Sequence, residues 1–448
     1  MPTIPTSLLE PEVLDLGANG PQAAVATVED TTGLFDSYRV QFRAVPGRPG
    51  ELYAPFGPDN KLPYKLRDLV GADEVTAQNK FFNVLACYGA GLELQDLEGK
   101  PTAHAEARRF AQRNSLRTFF LEQATDMKYY FFSVAVLILS RDGTRINRIV
   151  HKEACWTRLQ KADRTGRVRH VYYANWEQGT PSARQIERIP LLDLNDPLGD
   201  LLVLMGREPG RDGITRERTR GRKFAMLLRF PTVGCKYYPV PYYAAMFSGG
   251  SYFEKRLIAQ AKIAKIRNHA SVKYQVEVEQ RYWQKIIDEE RITDPQKMRE
   301  RVKQEKERIR DFVAGVHNSG KAWITGYYVD PAGHEVRDIR VVNLEGSKEG
   351  GDYADDINVA ANTLCYADNT HPNLVGAVPG KSQSNNSGSD KRELFTMKQA
   401  LETAFHHVLL RPVELVCAFN GWDNVRPAVP MILLTTLDQH TDARRAQL

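Results

Sequence analysis

The chain has few cysteines and no long apolar run. Its five cysteines are far apart and form no C-x-x-C pair: Cys87, Cys155, Cys235, Cys365 and Cys417. This spacing argues against a zinc site or a disulfide framework and favours small buried side chains in a reducing cytosol. No apolar run reaches the ~18 residues that a membrane-spanning helix needs, and residues 1–13 lack a signal-peptide pattern. We therefore expect no membrane partner.

The overall charge is nearly balanced, with 61 Lys and Arg against 55 Asp and Glu in 448 residues. A net charge of +6 permits an acidic partner but is weak evidence for nucleic acid. The ordinary globular composition excludes a disordered or collagen-like chain, and the length suggests about three structural units. Residues 1–38 contain no Lys or Arg and six acidic residues, which indicates an extended acidic arm.

Apolar residues at helical spacing dominate residues 63–132, and a β-meander follows. The segment 129–139 is aromatic and β-branched, which predicts a buried strand. A turn at 141–143 and a further strand at 168–176 continue the meander. Residues 205–223 are rich in Gly and Arg, which is typical of a surface loop. That loop could touch nucleic acid, although a solvated loop with ion pairs between subunits is slightly favoured.

Residues 252–270 predict a helix with two apolar stripes. By the 100° step of an α-helix the stripes lie about 145° apart. Between them runs a basic ridge formed by Lys255, Lys262 and Lys265. Two apolar stripes suit a helix held between two neighbours, like a stave in a ring wall, with the ridge facing water or a ligand.

A small α/β unit is predicted at 271–345. It contains a short strand at 274–278 and a solvated helix at 294–316, with Arg301 and Glu305 spaced for an ion pair. Two further strands, 322–329 and 336–344, are joined by a hairpin signal at 330–333.

The last third of the chain predicts a short helix, a polar tract and a long helix. The short helix covers 352–367, and the tract 382–389 has no large side chain to bury. Asp390 and Glu393 form a capping box for the long helix, which Pro412 kinks or breaks. A final strand is predicted at 428–435. The expected apolar face of the long helix comprises Leu394, Met397, Leu401, Phe405, Val408 and Leu409.

Catalytic motifs find little support. The segment Gly380-Lys381-Ser382 lacks the spacing and the following helix of a phosphate-binding loop. His406 and His407 point about 100° apart on a helix, so they do not form a two-ligand metal face. Asp352, Asp355 and Asp356 could belong to a metal-dependent nuclease, but acidic residues in a first helical turn more often complement the helix dipole. We expect no catalytic residue, no metal and no cofactor.

Four consecutive features between residues 352 and 422 recur in one known family. A short helix, 352–367, leads into His371-Pro372-Asn373-Leu374-Val375-Gly376. The polar tract 382–389 follows, and a long helix, 391–419, contains Arg411-Pro412. In this order they resemble the core of the portal proteins of tailed bacteriophages. Upstream, 127–176 resembles the wing meander of that family and 237–270 its entry into the first stem helix.

The resemblance implies an α+β fold with a wing of helices and a β-meander, a helical stem, a small α/β clip, a long kinked helix and a minimal crown. The implied segments, in chain order, are an N-terminal arm (1–62), the first part of the wing (63–250), a stem helix (251–270), the clip (271–345), a second stem helix (346–367), the tunnel-loop region (368–392), the long kinked helix (393–422) and a short crown segment (423–448).

The family assembles as a ring, usually of twelve subunits, through which double-stranded DNA is packaged and ejected without sequence recognition. The resemblance implies partners: the terminase large subunit, the major capsid protein and a head–tail adaptor. It places the protein at the capsid vertex of a virion, after assembly in the host cytoplasm. One departure is that portal channels are often lined with negative charge, whereas the stem helix here is basic.

By the same resemblance, the DNA channel takes residues from the tunnel loop and the stem. They are Lys381, Ser382, Gln383, Ser384, Asn385, Asn386, Lys391 and Arg392 of the loop, and Lys255, Lys262 and Lys265 of the stem helix. Two alternatives remain open: a metal-dependent nucleic-acid enzyme using Asp352, Asp355 and Asp356, and another ring-forming protein of the head–tail joint.

Overall fold

The computed structural model describes residues 40–210, 213–267, 274–314, 327–329, 335–343, 352–375 and 388–434. Within these ranges none of the helices is long and apolar enough to cross a lipid bilayer. The helices are α1 (Leu62–Gly71), α2 (Glu74–Tyr88), α3 (Ala105–Arg113), α4 (Leu116–Tyr130), α5 (Pro197–Leu204), α6 (Gly250–Arg267), α7 (Gln280–Glu289), α8 (Pro295–Ala314), α9 (Asp352–Ala367), α10 (Pro372–Val375) and α11 (Gly388–Asn420).

The strands of the described ranges pair antiparallel throughout. They are β1 (Arg43–Ala44), β2 (Leu52–Ala54), β3 (Glu93–Gln95), β4 (Phe132–Leu139), β5 (Ile146–Lys152), β6 (Thr157–Gln160), β7 (His170–Tyr173), β8 (Glu187–Pro190), β9 (Lys223–Arg229), β10 (Tyr274–Val278), β11 (Tyr327–Val329), β12 (Glu335–Arg337), β13 (Ile339–Asn343) and β14 (Arg426–Ala428). The larger sheets have the orders β1-β2-β6-β7-β8 and β5-β4-β9. The two-stranded sheets are β3–β14, β10–β13 and β11–β12. This mixture confirms the predicted α+β class.

The described residues form two compact units. The large unit contains residues 40–254 and 357–434, and the small unit contains residues 255–356. In the large unit β4 is buried on both faces, which explains its continuous apolar sequence. Ala135, Leu137 and Leu139 point into one core cluster, which α4 and α11 cover. Because side chains alternate along a strand, Phe132, Val134 and Val136 enter a second cluster, with residues of α1 and β6.

The small unit has a core of its own. Six buried residues pack together, namely Trp283, Ile287, Met298, Val302, Ile309 and Ile339. They come from α7, one face of α8, and β13, which pairs with β10. Arg301 and Glu305 form the predicted i,i+4 ion pair, with an N–O distance of 3.0 Å.

Most helix predictions are confirmed, with small shifts at the ends. The stave helix is α6, the solvated helix is α8, and the short helix over 352–367 is α9. β11 pairs with β12 across the predicted hairpin, whose turn residues 330–333 lie outside the described ranges. The exposed Arg-rich segment also agrees with a surface loop, apart from 211–212, which lie outside the described ranges.

Several strand predictions are wrong in their bounds. The strand predicted at 168–176 covers only 170–173 (β7), and the segment predicted as one strand at 336–344 is divided between β12 and β13. Residues 129–130 belong to α4, and Phe131, with a left-handed φ of 57°, ends that helix before β4 begins. The predicted strand at 428–435 is short: β14 ends at Ala428, because it pairs only with the three residues of β3.

The prediction for the apolar face of α11 is partly wrong. Met397 and Leu401 are 62% and 56% exposed, whereas Lys398 and Glu402 are buried. The buried side of this helix is therefore turned by about one residue step, toward charged partners elsewhere in the large unit. The helix itself continues without a break through Pro412 to Asn420.

Candidate functional site: the polar loop and its anchors

The predicted DNA-channel residues are described only in part. Residues 381–386, which include Lys381, Ser382, Gln383, Ser384, Asn385 and Asn386, lie outside the described ranges. Lys391 and Arg392 lie in the first turn of α11, where Lys391 is exposed and Arg392 is half-buried. A cation beside the N–H groups of a helix N-terminus suits a phosphate contact.

The basic ridge of the stem helix differs from the prediction. Lys255 is 5% exposed, so its ammonium is not on the open surface that the ridge requires. Lys262 and Lys265 lie on α6, but their side chains are outside the described part of the structure. Of the predicted cations, only Lys391 and Arg392 are placed at an accessible surface within the described ranges.

A buried cluster of charged side chains includes residues that precede and residues that follow the predicted polar loop. We keep the predicted name polar loop for residues 376–387, which lie outside the described ranges. We use the name charged cluster for five described residues: Lys80, Lys128, Asp368, Lys398 and Glu402. Each of these five residues is at most 6% exposed. Asp368 directly follows α9, and Lys398 and Glu402 lie on the first half of α11.

The first part of the cluster joins α2 to the end of α9. The Lys80 ammonium lies 2.5 Å from the Asp368 carboxylate. It also lies 3.0 Å from the centre of the Tyr243 ring, a cation–π contact. Asn83 donates hydrogen bonds to the Asp368 carbonyl at 2.8 Å and to the Thr370 hydroxyl at 3.0 Å. The chain that leaves α9 toward the loop is therefore held against α2.

The second part joins α4 to the start of α11. The Glu402 carboxylate is paired with Lys128, and with Lys398 at 3.3 Å. Lys128 lies 3.4 Å from the centre of the Phe405 ring. Lys398 also donates to the Asn369 carbonyl at 3.0 Å, which connects the two parts of the cluster. The segments before and after the polar loop are thus held to the same body.

The electrostatics of the cluster follow from its charge count. Three ammonium groups face two carboxylates in an interior that solvates charge poorly. Burial lowers the pKa of Lys80 to about 8, although the neighbouring Asp368 acts in the opposite direction. Burial likewise lowers the pKa of Lys398. Losing either carboxylate would leave a buried cation without its partner. The ion pairs therefore strongly favour the observed positions of the end of α9 and the start of α11.

Sequence reasoning missed this cluster. The signal available was the i,i+4 pair Lys398 and Glu402 between apolar positions of the long helix. An i,i+4 pair of Lys and Glu is also common on solvent-exposed helix faces, so it does not by itself indicate burial. The partners Lys80, Lys128 and Asp368 are far away in sequence, and nothing local connects them.

The Arg-rich segment has a structural role in part. Arg207 donates to the Thr144 carbonyl at 2.7 Å, and Arg218 donates to the Arg141 carbonyl at 2.9 Å. Both bonds tie the segment to the hairpin between β4 and β5 of the same chain. Hydrogen bonds within the subunit therefore account for these two arginines.

The cysteines and acidic residues show no metal centre in the described part of the chain. No group of three or more His, Cys, Asp or Glu side chains there could hold a metal ion. Cys87, Cys365 and Cys417 are buried free thiols, and Cys155 and Cys235 are half-buried free thiols. Burial raises the pKa of Cys87 to about 12. Asp355 and Asp356 are exposed on α9, and the Asp352 side chain lies outside the described part.

The fold is similar to that of chains in solved structures of gene transfer agent (GTA) particles. No family model and no curated protein sequence matches the chain. A chain of the structure "Neck of empty GTA particle computed with C6 symmetry" matches with a TM-score of 0.54 and 11% identity, over 85% of this chain and 86% of that one. A chain of "Virion of native gene transfer agent (GTA) particle" matches with a TM-score of 0.54 and 10% identity, over 89% and 88%.

A third match has the same character. A chain of "Neck of native GTA particle computed with C12 symmetry" gives a TM-score of 0.53 and 11% identity, over 89% of this chain and 88% of that one. At such low identities the matches establish a shared fold.

Proposed function

We propose that the protein is a portal-type head–tail connector of a phage-like particle. Identical subunits form a ring, and double-stranded DNA enters and leaves the capsid through its channel. The observation that carries this proposal is the fold match over 85–89% of the chain to chains of neck and virion structures of a particle. The matched necks are described with sixfold and twelvefold symmetry, which favours a ring here too.

The proposed channel contact comes from the polar loop and the start of α11. The loop sequence offers Lys381 among small polar residues, and Lys391 and Arg392 follow in the first turn of α11. Isolated cations among Ser and Asn bind the phosphate backbone without reading bases, so DNA can slide. The charged cluster would hold the base of each loop fixed while DNA moves past it.

The partners follow from the same proposal. The small unit would correspond to the clip and would contact the terminase large subunit during packaging and the head–tail adaptor afterwards. The helices and meander of the large unit would form the wing and contact the major capsid protein. In this function the protein is not an enzyme: the terminase supplies the energy, and the ring supplies a passage and a docking surface.

Oligomer size and cleavage assays test this proposal against its alternatives. We expect mass photometry and negative-stain images of the purified protein to show closed rings with a central channel. We also expect no DNA cleavage with Mg²⁺ or Mn²⁺. A protein that stays monomeric under all assembly conditions and cleaves DNA only with a metal would contradict the proposal and support the nucleic-acid enzyme.

DNA affinity provides a second test. The variant Lys391→Glu/Arg392→Glu should weaken the binding of assembled rings to short DNA duplexes. The weakening should be similar for duplexes of different sequence, because phosphate contacts do not read bases. The slope of log affinity against log salt should shrink by about 0.9 for each DNA phosphate that the variant no longer neutralises. A matched control is Lys297→Glu/Lys303→Glu, which reverses two exposed cations of α8. Equal weakening in both variants would refute the assignment of the contact to the start of α11.

A further inference from the structure

The first half of α11 exposes an apolar stripe. Met397 and Leu401 are 62% and 56% exposed, and Ala400 and Ala404 are also exposed. Their spacing of i, i+3, i+4 and i+7 places all four on one face of the helix. The same stretch buries Lys398 and Glu402 on another face. The helix thus has a second packing surface in addition to the charged cluster.

The shape of this stripe suits another helix. Large and small side chains alternate along the stripe, from Met397 through Ala400 and Leu401 to Ala404. The backbone of a second helix can approach the alanines closely, and its side chains can enter the gaps above them. A continuous apolar face that is exposed on a single subunit commonly marks a contact with another macromolecule.

A matching stripe lies on α9. Val359 and Tyr366 are 65% and 87% exposed, and Thr363 between them is exposed as well. Val359 and Tyr366 are seven residues apart, as are Met397 and Ala404. At 1.5 Å per residue both stripes are therefore about 10.5 Å long.

Charges at the ends of the stripes select an orientation. Asp355 and Asp356 are exposed on α9 before Val359, and exposed His407 and half-buried Arg411 follow Ala404 on α11. An antiparallel arrangement brings these acidic and basic ends together. A parallel arrangement would instead bring the α9 acids toward Glu393, which the 100° helical step places on the face of the stripe, whereas Lys391 and Arg392 point to other faces of α11. Opposite charges attract and like charges repel at this range, so antiparallel packing is favoured.

We propose that α11 of one copy packs antiparallel on α9 of the next copy through these two stripes. This inference rests on the proposed ring, because a contact between two different surfaces is what closes a ring of identical subunits. α9 precedes the polar loop and α11 follows it, so each contact joins the loop-bearing segments of neighbouring subunits.

Assembly of a stripe variant tests the surface. We expect Met397→Glu/Leu401→Glu to reduce the ring fraction in mass photometry at least tenfold, while circular dichroism and thermal unfolding show a folded monomer. The matched control Leu97→Glu/Val233→Glu changes two residues that are 64% and 87% exposed outside both stripes. Its ring fraction should stay within twofold of the wild type.

Cysteine cross-linking tests the pairing and does not depend on disrupting the fold. Under mild oxidation Val359→Cys/Ala404→Cys should give a ladder of covalent oligomers, because the antiparallel arrangement brings these positions together. Tyr366→Cys/Ala404→Cys should give no ladder, and each single cysteine variant should remain monomeric on denaturing gels.

The outcomes separate this inference from the proposed function. Rings in the wild type together with undiminished rings in Met397→Glu/Leu401→Glu would overturn the surface and leave the ring proposal standing. A ladder from the Tyr366 pair instead of the Val359 pair would overturn the antiparallel pairing. A wild type that forms no ring would overturn the proposed function and this inference with it.

Discussion

The two units of the molecule accommodate charge in different ways. The large unit has apolar clusters on both faces of β4 and buries three lysines with two carboxylates. Within the described ranges the small unit has a core of six residues, and its buried charged groups are Lys255 and Glu305, whose carboxylate is paired with Arg301. Buried ions are costly to desolvate, and a small core contributes little stability to offset that cost. We infer that the charged cluster depends on the large core around it.

The largest expected effect that tests this comparison is removal of a buried carboxylate from the cluster. Glu402→Ala leaves Lys128 and Lys398 without a counter-ion and should lower the free energy of unfolding of the large unit by about 3–5 kcal/mol. The matched control on the same helix is Glu393→Ala at an exposed site. Since α11 begins at Gly388 and Asp390 already lies within its first turn, the predicted capping box is wrong, and we expect a change within about 0.5 kcal/mol. Denaturant unfolding with hydrogen exchange resolved by peptide measures both.

Equal effects of Glu402→Ala and Glu393→Ala would show that the buried pairs contribute no more than surface charges. The difference drawn between the two units would then not hold.

The next effect concerns the core of the small unit. Trp283→Ala removes the largest side chain of its six-residue cluster and should cost about 3–5 kcal/mol. Since that cluster is separate, we expect faster hydrogen exchange in α7, α8 and β13 and little change in β4. Lys285→Ala, an exposed position on α7, is the control. Equal acceleration of exchange in β4 would mean that the two units unfold together.

The smallest effect is a difference in acid sensitivity. In the large unit burial and the nearby Arg188 lower the pKa of His170 to about 4. Between its ordinary value of 6.5 and 4, the unfolded chain binds a proton that the folded chain does not, so stability falls as the pH falls through this window. His170→Gln should flatten this part of the stability profile.

The small unit should respond at lower pH. Burial raises the pKa of Glu305, but hydrogen bonds from Arg301 and Tyr282 outweigh this effect and the net pKa is lowered from its ordinary 4.5. The resulting stabilisation is present above pH 4.5 and is lost as the pH falls further. Burial also lowers the pKa of His406 in the large unit. Hydrogen exchange at pH 5.5, below the ordinary pKa of histidine and above that of Glu305, should therefore detect weakening of the large unit first. Weakening of the small unit first would contradict both assignments.

Local patterns allowed the helices to be predicted well and the sheet boundaries less well. Helical periodicity and a capping residue are local, so α8, α9 and most of α11 were predicted within a few residues. The ends of strands depend on a partner: β14 is short because β3 is short, and the sequence near Ala428 does not contain that information. The end of α4 depended on Phe131 in a left-handed conformation, which is uncommon for an aromatic residue.

The candidate site was predictable only in its polar part. Composition showed that the tract 382–389 has nothing to bury and that Lys391 and Arg392 follow it. The anchors of the loop could not be predicted, because Lys80 and Lys128 look like ordinary surface lysines in sequence. Their pairing with Asp368 and Glu402 joins positions up to 288 residues apart.

The sequence by itself determined the α+β class, the order of the helices and the polar composition of the tract before the long helix. These follow from periodicity and composition, which act over a few residues. Only the tertiary structure decided which face of α11 is buried. There the pairing of Lys398 and Glu402 with distant charges outweighs the burial of Met397 and Leu401, and so an apolar stripe remains at the surface.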